Sequence, residues 1–524
     1  MFSFALSLLF LSVSFPALYL CGSNVYRYVI LTNLEEGDPY LEALEMLASY
    51  RNAYTIKFQN SPIEVLEELK GVFPRYVAVV IRPEDLDVNF AQEMFLVSTQ
   101  MDDDPFMDFS YGFITGATPE DACYLVQNTI KAERESPSLK TVLFIAEEGP
   151  SCHGRSNSQE AEDFFEGEGY CWKYLEVPEE MEWSEWESKK RDMLPMLEGN
   201  EVIMMFGHGG PTESGAVFAV GFNCLDFRGL NLYPAVVYCG CCYGAITYRS
   251  FFGMEETCLK ELLLLEANYS ISLSCVESGA VAFIGGLHEN GFNFVGPIFA
   301  YVYSEGESLG EGLKYMANYY IMHDGGVVEV TRLEDGERLV ERGVKIEAKS
   351  TIIIGDPAYS PYEKRQPFER SGGEEGDRGE KIVASLTNHL VSYPYVFKYF
   401  EEGKFENIIY LQIKLSSGDI RRVSVECSGG PCDLPFMWTV GKGDQPILHL
   451  MIDVRKLDFP SRITVEVTYG GEQSSGGNWI QTPQPAGGDY VGGWLLALFP
   501  LIFGLGLIAV ILLISNVKKR KGAS

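Results

Sequence analysis

Two short apolar runs end in side chains capable of covalent chemistry. Residues 201–206 pass directly into Gly207, His208, Gly209 and Gly210, and residues 235–238 pass into Cys239, Gly240, Cys241, Cys242, Tyr243 and Gly244. A thiol of pKa about 8.5 is mostly protonated at neutral pH and needs a nearby base to become a nucleophile. Histidine supplies one. If both runs are strands of one α/β sheet, the reactive residues lie beyond the strands' carboxyl ends, where such sheets place their sites. Adjacent strands lie about 4.8 Å apart, so an imidazole and a thiol on neighbours could flank one carbonyl. Gly209 and Gly240 leave the backbone open to close approach, and the amides of Gly209 and Cys241 are the expected oxyanion hole, in which losing one donor costs about 3 kcal/mol. Taken singly, a cysteine in an apolar strand is usually a small core residue, and Gly-His-Gly is usually a loop. Zinc is a further reading of three cysteines and a histidine. Against it, Cys239 and Cys241 face one way on a strand and Cys242 the other.

These runs belong to an alternation extending over residues 26–361. Apolar, β-rich runs at 28–31, 76–81, 141–146, 202–206, 235–238, 281–284 and 351–354 are separated by helical patterns at 40–50, 63–70, 120–133, 259–267 and 309–321. The pattern predicts an α/β domain with a mostly parallel sheet flanked by helices. Pro119, followed by Glu120 and Asp121, marks a helix start. From 382 to 467 only strands are expected, at 408–415, 423–426, 447–454 and 463–467, which predicts a small all-β sandwich. The polar stretch 370–379 is the expected boundary, and the Gly/Ser/Gln/Pro-rich residues 470–493 read as a flexible linker.

At 524 residues the chain is too long for one ordinary core. Its 73 acidic against 41 basic residues give a net charge of −32, a field that repels nucleic acid, so no nucleic-acid partner is expected. Residues 1–22 resemble a signal peptide, although they lack a basic start and a clean small-x-small cleavage site, and an uncleaved anchor is the alternative. Residues 494–517 carry no charge and, at 1.5 Å per residue, could cross a roughly 30 Å hydrocarbon layer as a transmembrane helix. Lys518, Lys519, Arg520 and Lys521 follow, and cationic flanks stay cytoplasmic. The expected location is therefore a cell membrane, crossed once, with the N-terminal bulk extracytoplasmic and the tail 518–524 cytoplasmic. An exported domain meets oxidising conditions, so Cys427 with Cys432, and Cys152 with Cys171, are candidate disulfides whose connectivity the sequence leaves open.

The ordered motifs go further. Phe206-Gly-His-Gly-Gly210, followed by Pro234-Ala-Val-Val-Tyr-Cys-Gly-Cys-Cys-Tyr-Gly244, resembles the gingipain family of caspase-like cysteine peptidases. There one strand ends in Gly-His-Gly, and the next ends in a small residue, a cysteine and, three positions on, a glycine. That pattern selects Cys241 over Cys239 and Cys242. The segment from Asp102 to Gly112, then Ile114-Thr-Gly116, Pro119-Glu-Asp-Ala122, Ser278-Gly-Ala-Val-Ala-Phe-Ile284 and Ile354-Gly-Asp-Pro357, extends the resemblance over most of residues 26–357. It implies a caspase-like fold with an N-terminal α/β subdomain (23–135), a catalytic subdomain (136–369) and an immunoglobulin-like sandwich (380–469). It implies also that Glu148, with Glu147 second, is a carboxylate supporting the histidine; such a group would orient the imidazole and stabilise its cation. A solvated loop acid is the other reading of Glu148.

Phe292 falls where the family has an aromatic pocket wall, and equally could be core. The chain departs from the arginine-specific members at their pocket acid, where it offers Ser158, Gln159 or Glu160. His288 and Glu289 lie beside the pocket region as candidate substrate contacts. Family members bind calcium through acidic loops, and Asp102, Asp103, Asp104 and Asp108 could supply oxygen ligands; no cofactor is required. The implied activity is cleavage of a peptide or protein substrate through a thioacyl enzyme, with Cys241 attacking and His208 protonating the leaving amine. The rivals are a surface transpeptidase of the same fold, which passes the acyl group to an amine, and a catalytically inactive cell-surface binding protein.

Overall fold

Runs of Val, Ile, Leu, Met and Phe without polar interruption cannot leave a face to water, so they become strands covered on both sides. In the computed structural model the strands of this layer are Tyr28–Thr32 (β1), Tyr54–Lys57 (β2), Tyr76–Val80 (β3), Ser110–Ile114 (β4), Thr141–Glu148 (β5), Cys171–Pro178 (β6) and Val202–Phe206 (β7), of which β2 and β6 are partly exposed. After the short strands Gly209–Pro211 (β8), Val217–Ala219 (β9) and Phe222–Asn223 (β10) come Val236–Gly240 (β11), Ala282–Gly286 (β12), Glu329–Arg332 (β13), Leu339–Arg342 (β14) and Thr351–Ile354 (β15). Every residue of β1, β4, β7, β11, β12 and β15 is buried.

The structure describes residues 27–136, 139–148, 162, 165–166, 169–178, 183–211, 217–247, 270–288, 292–323, 329–332, 339–342, 344, 346–361, 368–372, 379–386, 408–427, 436–441, 446–453 and 461–469. The chain divides into two compact units, Met1–Gly477 and Asn478–Ser524, and all described residues belong to the first. The segments 1–22 and 494–517, the tail 518–524 and the helix expected at 259–267 lie outside the described residues. Among the described residues no helix is long and apolar enough to cross a membrane.

Ten strands form one sheet in the order β2-β1-β3-β4-β15-β12-β11-β7-β5-β6. The first four pair in parallel, as do the last five. Between them β15 runs antiparallel to β12 and meets β4 through the single pair Ile354 and Phe113. Helices flank this mostly parallel sheet. Pro119–Glu135 starts where the sequence indicated: Asp121 N–H donates to Thr118 Oγ1 at 3.2 Å while Thr118 N–H donates to Asp121 Oδ2 at 2.9 Å, a closed capping box. The strand β4 was not anticipated, because Gly112 interrupts its apolar run. A Cβ there would sit 2.6 Å from the Gly355 carbonyl oxygen, so glycine is what lets the chain after β15 lie against β4.

Burial of charge ties the two halves of the sheet. Asp356, directly after β15 and 1% exposed, accepts from Tyr28 Oη at 2.8 Å and from Arg51 Nε at 2.7 Å, and Arg51 also pairs with Glu133. The Tyr28 hydroxyl is held well above its usual pKa by burial and by the Asp356 charge.

The C-terminal strands Phe368–Gly372 (β16), Gly379–Leu386 (β17), Ile408–Lys414 (β18), Ile420–Cys427 (β19), Phe436–Gly441 (β20), Ile447–Asp453 (β21) and Ser461–Tyr469 (β22) form two antiparallel sheets, β16-β17-β22-β19 and β18-β21-β20. Alternate residues fill the core between them: Leu411 and Ile413, Val423 and Val425, Leu448, Leu450 and Ile452, Ile463, Val465 and Val467. Because β16 pairs with β17, the first sandwich strand begins at Phe368, ahead of the polar boundary read at 370–379, and runs into it as far as Gly372. The sandwich is packed on the α/β layer. Tyr315 Oη donates to the Tyr410 carbonyl at 2.8 Å, Tyr410 Oη meets His449 Nδ1 at 2.6 Å, and the Phe106 ring stacks on the His449 imidazole with centroids 3.7 Å apart. Burial first, then the Lys314 charge, drives the His449 imidazole down to about 3.

Candidate active site

The strands that carry the two reactive residues are neighbours. β7 and β11 run parallel, Val202 beside Val236 and Phe206 beside Gly240, so both chains leave the sheet at the same rim. Residue 208 follows one strand by two positions and residue 241 follows the other by one. β5 lies on the far side of β7 with Ala146 beside Phe206, which brings Glu147 level with the start of the histidine loop.

The loop is gripped at both ends of His208. Its N–H donates to Glu147 Oε2 at 2.7 Å, and its carbonyl accepts from the Val220 N–H at 2.9 Å. Gly207 has φ +154°, and a Cβ there would lie 2.7 Å from both Cβ and Oε2 of Glu147. Only glycine allows that carboxylate to reach the backbone. The His208 residue itself is exposed. Next to it, a Cβ on Gly209 would run into the Cys242 carbonyl oxygen and come within 2.9 Å of Cys241 Cβ. The histidine loop and the cysteine loop are therefore in van der Waals contact.

Cys241 is fully buried. Burial above all, then a hydrogen bond with Cys239 and the charges of Cys239, Cys242 and Glu147, pushes its thiol well above the usual range, so the resting sulfur is protonated. Cys239 lies on the same strand face. A Cβ on Gly244 would come 2.5 Å from Cys239 Sγ, which gives the glycine three places after Cys241 a steric reason. Tyr243 turns the chain at φ +57° and donates its N–H to the His288 carbonyl at 2.9 Å. That contact sets His288, beyond the end of β12, on the flank of Cys241 opposite His208; its buried Nδ1 has no hydrogen-bond partner among the described residues.

Of the two adjacent acids, Glu147 touches the histidine loop, whereas Glu148 Oε1 accepts from Tyr174 Oη at 2.8 Å. On a strand, successive side chains face opposite ways, so one residue of register decides the difference. Phe292 opens the helix Phe292–Glu305, but its side chain, like Ser158, Gln159, Glu160 and Glu289, lies outside the described residues. Cys171 is an exposed free thiol at the start of the outer strand β6, so the expected Cys152–Cys171 bridge is not made; Cys152, Cys432 and the Cys427 side chain lie outside the described residues. In the acidic loop the carboxylates turn onto their own backbone: Asp102 Oδ1 accepts from Asp104 N–H, Asp104 Oδ1 from Phe106 N–H and Asp108 Oδ2 from Met101 N–H. Among the described residues no group of three or more His, Cys, Asp or Glu side chains is placed to hold a metal ion. Val220 and Trp186, which fix the histidine loop from outside, carried no signal in the sequence because their contacts are entirely tertiary.

No protein-family model matches the chain, and no curated protein matches it. Among solved structures, the chain is similar to one described as a protease, with TM-score 0.44 and 11% identity over 81% of this chain and 97% of that one. It is similar to the complex of the pro- and mature domains of RgpB from Porphyromonas gingivalis, with TM-score 0.42 and 13% identity over 85% of this chain and 93% of that one. A further similarity, with TM-score 0.33 and 11% identity over 54% of this chain and 15% of that one, is to the separase–securin complex of Saccharomyces cerevisiae.

Proposed function

We propose that the chain is a cysteine endopeptidase of gingipain-like type, with Cys241 as nucleophile and His208 as its proton-transfer partner. The observation that carries the reading is the parallel pairing of β7 with β11, which delivers both residues to one rim with Gly209 packed against Cys241. The neutral, enclosed thiol sets the order of events. Cys241 must be uncovered as substrate binds, and His208 acts as general base in the attacking step rather than as half of a preformed ion pair. The Cys241 sulfur bonds to the scissile carbonyl carbon, His208 takes the thiol proton and passes it to the leaving amine, and water then hydrolyses the thioester.

The Gly209 and Cys241 amides are the proposed oxyanion donors. In support, the Val220 N–H bonds to the His208 carbonyl, and the alternation of an antiparallel ladder then turns the Gly209 N–H away from β9. Glu147 supports the histidine through its backbone; Glu148 is retained as a catalytic candidate on the sequence resemblance alone. His288, Phe292 and Glu160 are the proposed substrate contacts, and acidic-loop calcium rests only on the sequence. The apolar segments 1–22 and 494–517 support a single-pass protein with its bulk extracytoplasmic.

An acyloxymethyl ketone peptide probe tests the reading. It should label the wild-type chain in the membrane fraction, on intact cells, and fail to label Cys241→Ala. Equal labelling of that variant removes Cys241 as nucleophile; labelling confined to the soluble fraction of lysed cells removes the membrane placement.

A further inference from the structure

The helix Trp183–Met193 supplies no reactive side chain, yet it holds the turn that grips His208. Val220 and Gly221 have φ +51° and +73° and form the tight turn from β9 to β10. Trp186, 4% exposed, donates its Nε1–H to the Gly221 carbonyl at 2.8 Å and sets its ring edge-on to Phe222 at 5.5 Å and 84°. A Cβ on Gly221 would fall 2.9 Å from Trp186 Nε1, so the indole is seated directly against this backbone.

The same helix makes a second attachment. Lys190, 2% exposed, pairs with Asp226 Oδ2 at 3.0 Å, and that oxygen accepts from the Asn223 N–H at 2.8 Å. The turn is thus fixed from the helix side, and on its other side the Val220 N–H holds the His208 carbonyl at 2.9 Å. A Cβ on Gly207 would lie 3.5 Å from Val220 Cγ2, so the Val220 side chain adjoins the histidine loop as well.

We infer that Trp186 is a positioning residue for His208, acting through the Val220–Gly221 turn; this rests on the peptidase reading above. The indole hydrogen bond fixes the height of the turn, and the turn fixes the His208 carbonyl. With the amide of His208 held by Glu147, those two contacts fix the backbone from which the imidazole projects. Nothing in this chain of contacts touches substrate, so its loss lowers turnover without weakening binding.

Trp186→Phe keeps an aromatic ring against Phe222 and removes only the N–H donor. For the full-length chain the expected result is a kcat about fivefold lower, the factor equivalent to one ordinary hydrogen bond, with KM unchanged. Alkylation of Cys241 by the acyloxymethyl ketone peptide probe, which occupies the substrate site, followed by peptide mass spectrometry, should slow by the same factor in W186F. Adding W186F to His208→Ala should leave that alkylation rate unchanged, because the positioned group is gone. An unchanged kcat in W186F overturns the inference, as does the same alkylation loss with and without His208, which marks a purely structural role. Full activity in His208→Ala instead overturns the peptidase assignment of His208, a separate outcome.

Discussion

Asp108 provides a quantitative test of how the acidic loop is set under the sandwich. Its Oδ2 accepts from the Met101 N–H at 3.0 Å, and its own carbonyl accepts from Lys314 Nζ at 2.9 Å. Burial first, then the charges of Asp102 and Asp104, pushes its carboxyl up to about 8, against the lowering pull of Lys314 and the Met101 amide. An unfolded aspartate titrates near 3.9, so the folded chain binds this proton more tightly. Stability from the group is fully present below about pH 4 and is lost as pH rises from about 4 through about 8. Four pH units at about 1.4 kcal/mol each set a ceiling of about 6 kcal/mol. Because the residue is partly open to solvent, screening reduces this to about 2–3 kcal/mol.

Asp108→Asn keeps an acceptor for the Met101 amide and cannot ionise. In urea titrations followed by tryptophan fluorescence, the variant and the wild-type chain should match at pH 4. The variant should be more stable by about 2–3 kcal/mol at pH 8. A stability gap that does not change with pH, or one that favours the wild-type chain at pH 8, refutes the placement of Asp108 as a desolvated acid among like charges.

Gly209→Ala should lower kcat by about a hundredfold, the usual consequence of displacing a reacting group by about an ångström, since the added Cβ drives against the Cys242 carbonyl and Cys241 Cβ; steady-state kinetics at wild-type rate would show that the two loops do not touch. Asp356→Ala strips one of two carboxylate partners from the largely buried Arg51, leaving Glu133, and removes the acceptor of the Tyr28 hydroxyl. It should cost about 3–5 kcal/mol in urea unfolding, and a loss below about 1 kcal/mol, the range of exposed pairs, would count against a buried network.

The runs that became β1, β3, β5, β7, β11, β12 and β15 were legible because strands buried on both faces must be apolar throughout, and that is a local property of the chain. Gly112 concealed β4, and the edge strands β2 and β6 were concealed because exposed residues such as Tyr54, Lys57, Cys171 and Lys173 dilute the apolar signal. The capping box at Thr118 and Asp121 was half visible, in the proline and acids of the first turn, because capping is also local.

The sequence by itself determined which side chains could do chemistry and that each leaves the end of a core strand: His208 after β7, Cys241 after β11. The tertiary structure decided that those strands adjoin, because pairing between segments 34 positions apart, Val202 with Val236, is non-local and no spacing encodes it. It also decided that Glu147 rather than Glu148 reaches the histidine backbone, since one residue of register on β5 reverses the face presented. The covering of the Cys241 thiol is likewise tertiary: its protonated state follows from the packing around it, which a run of residue types does not specify.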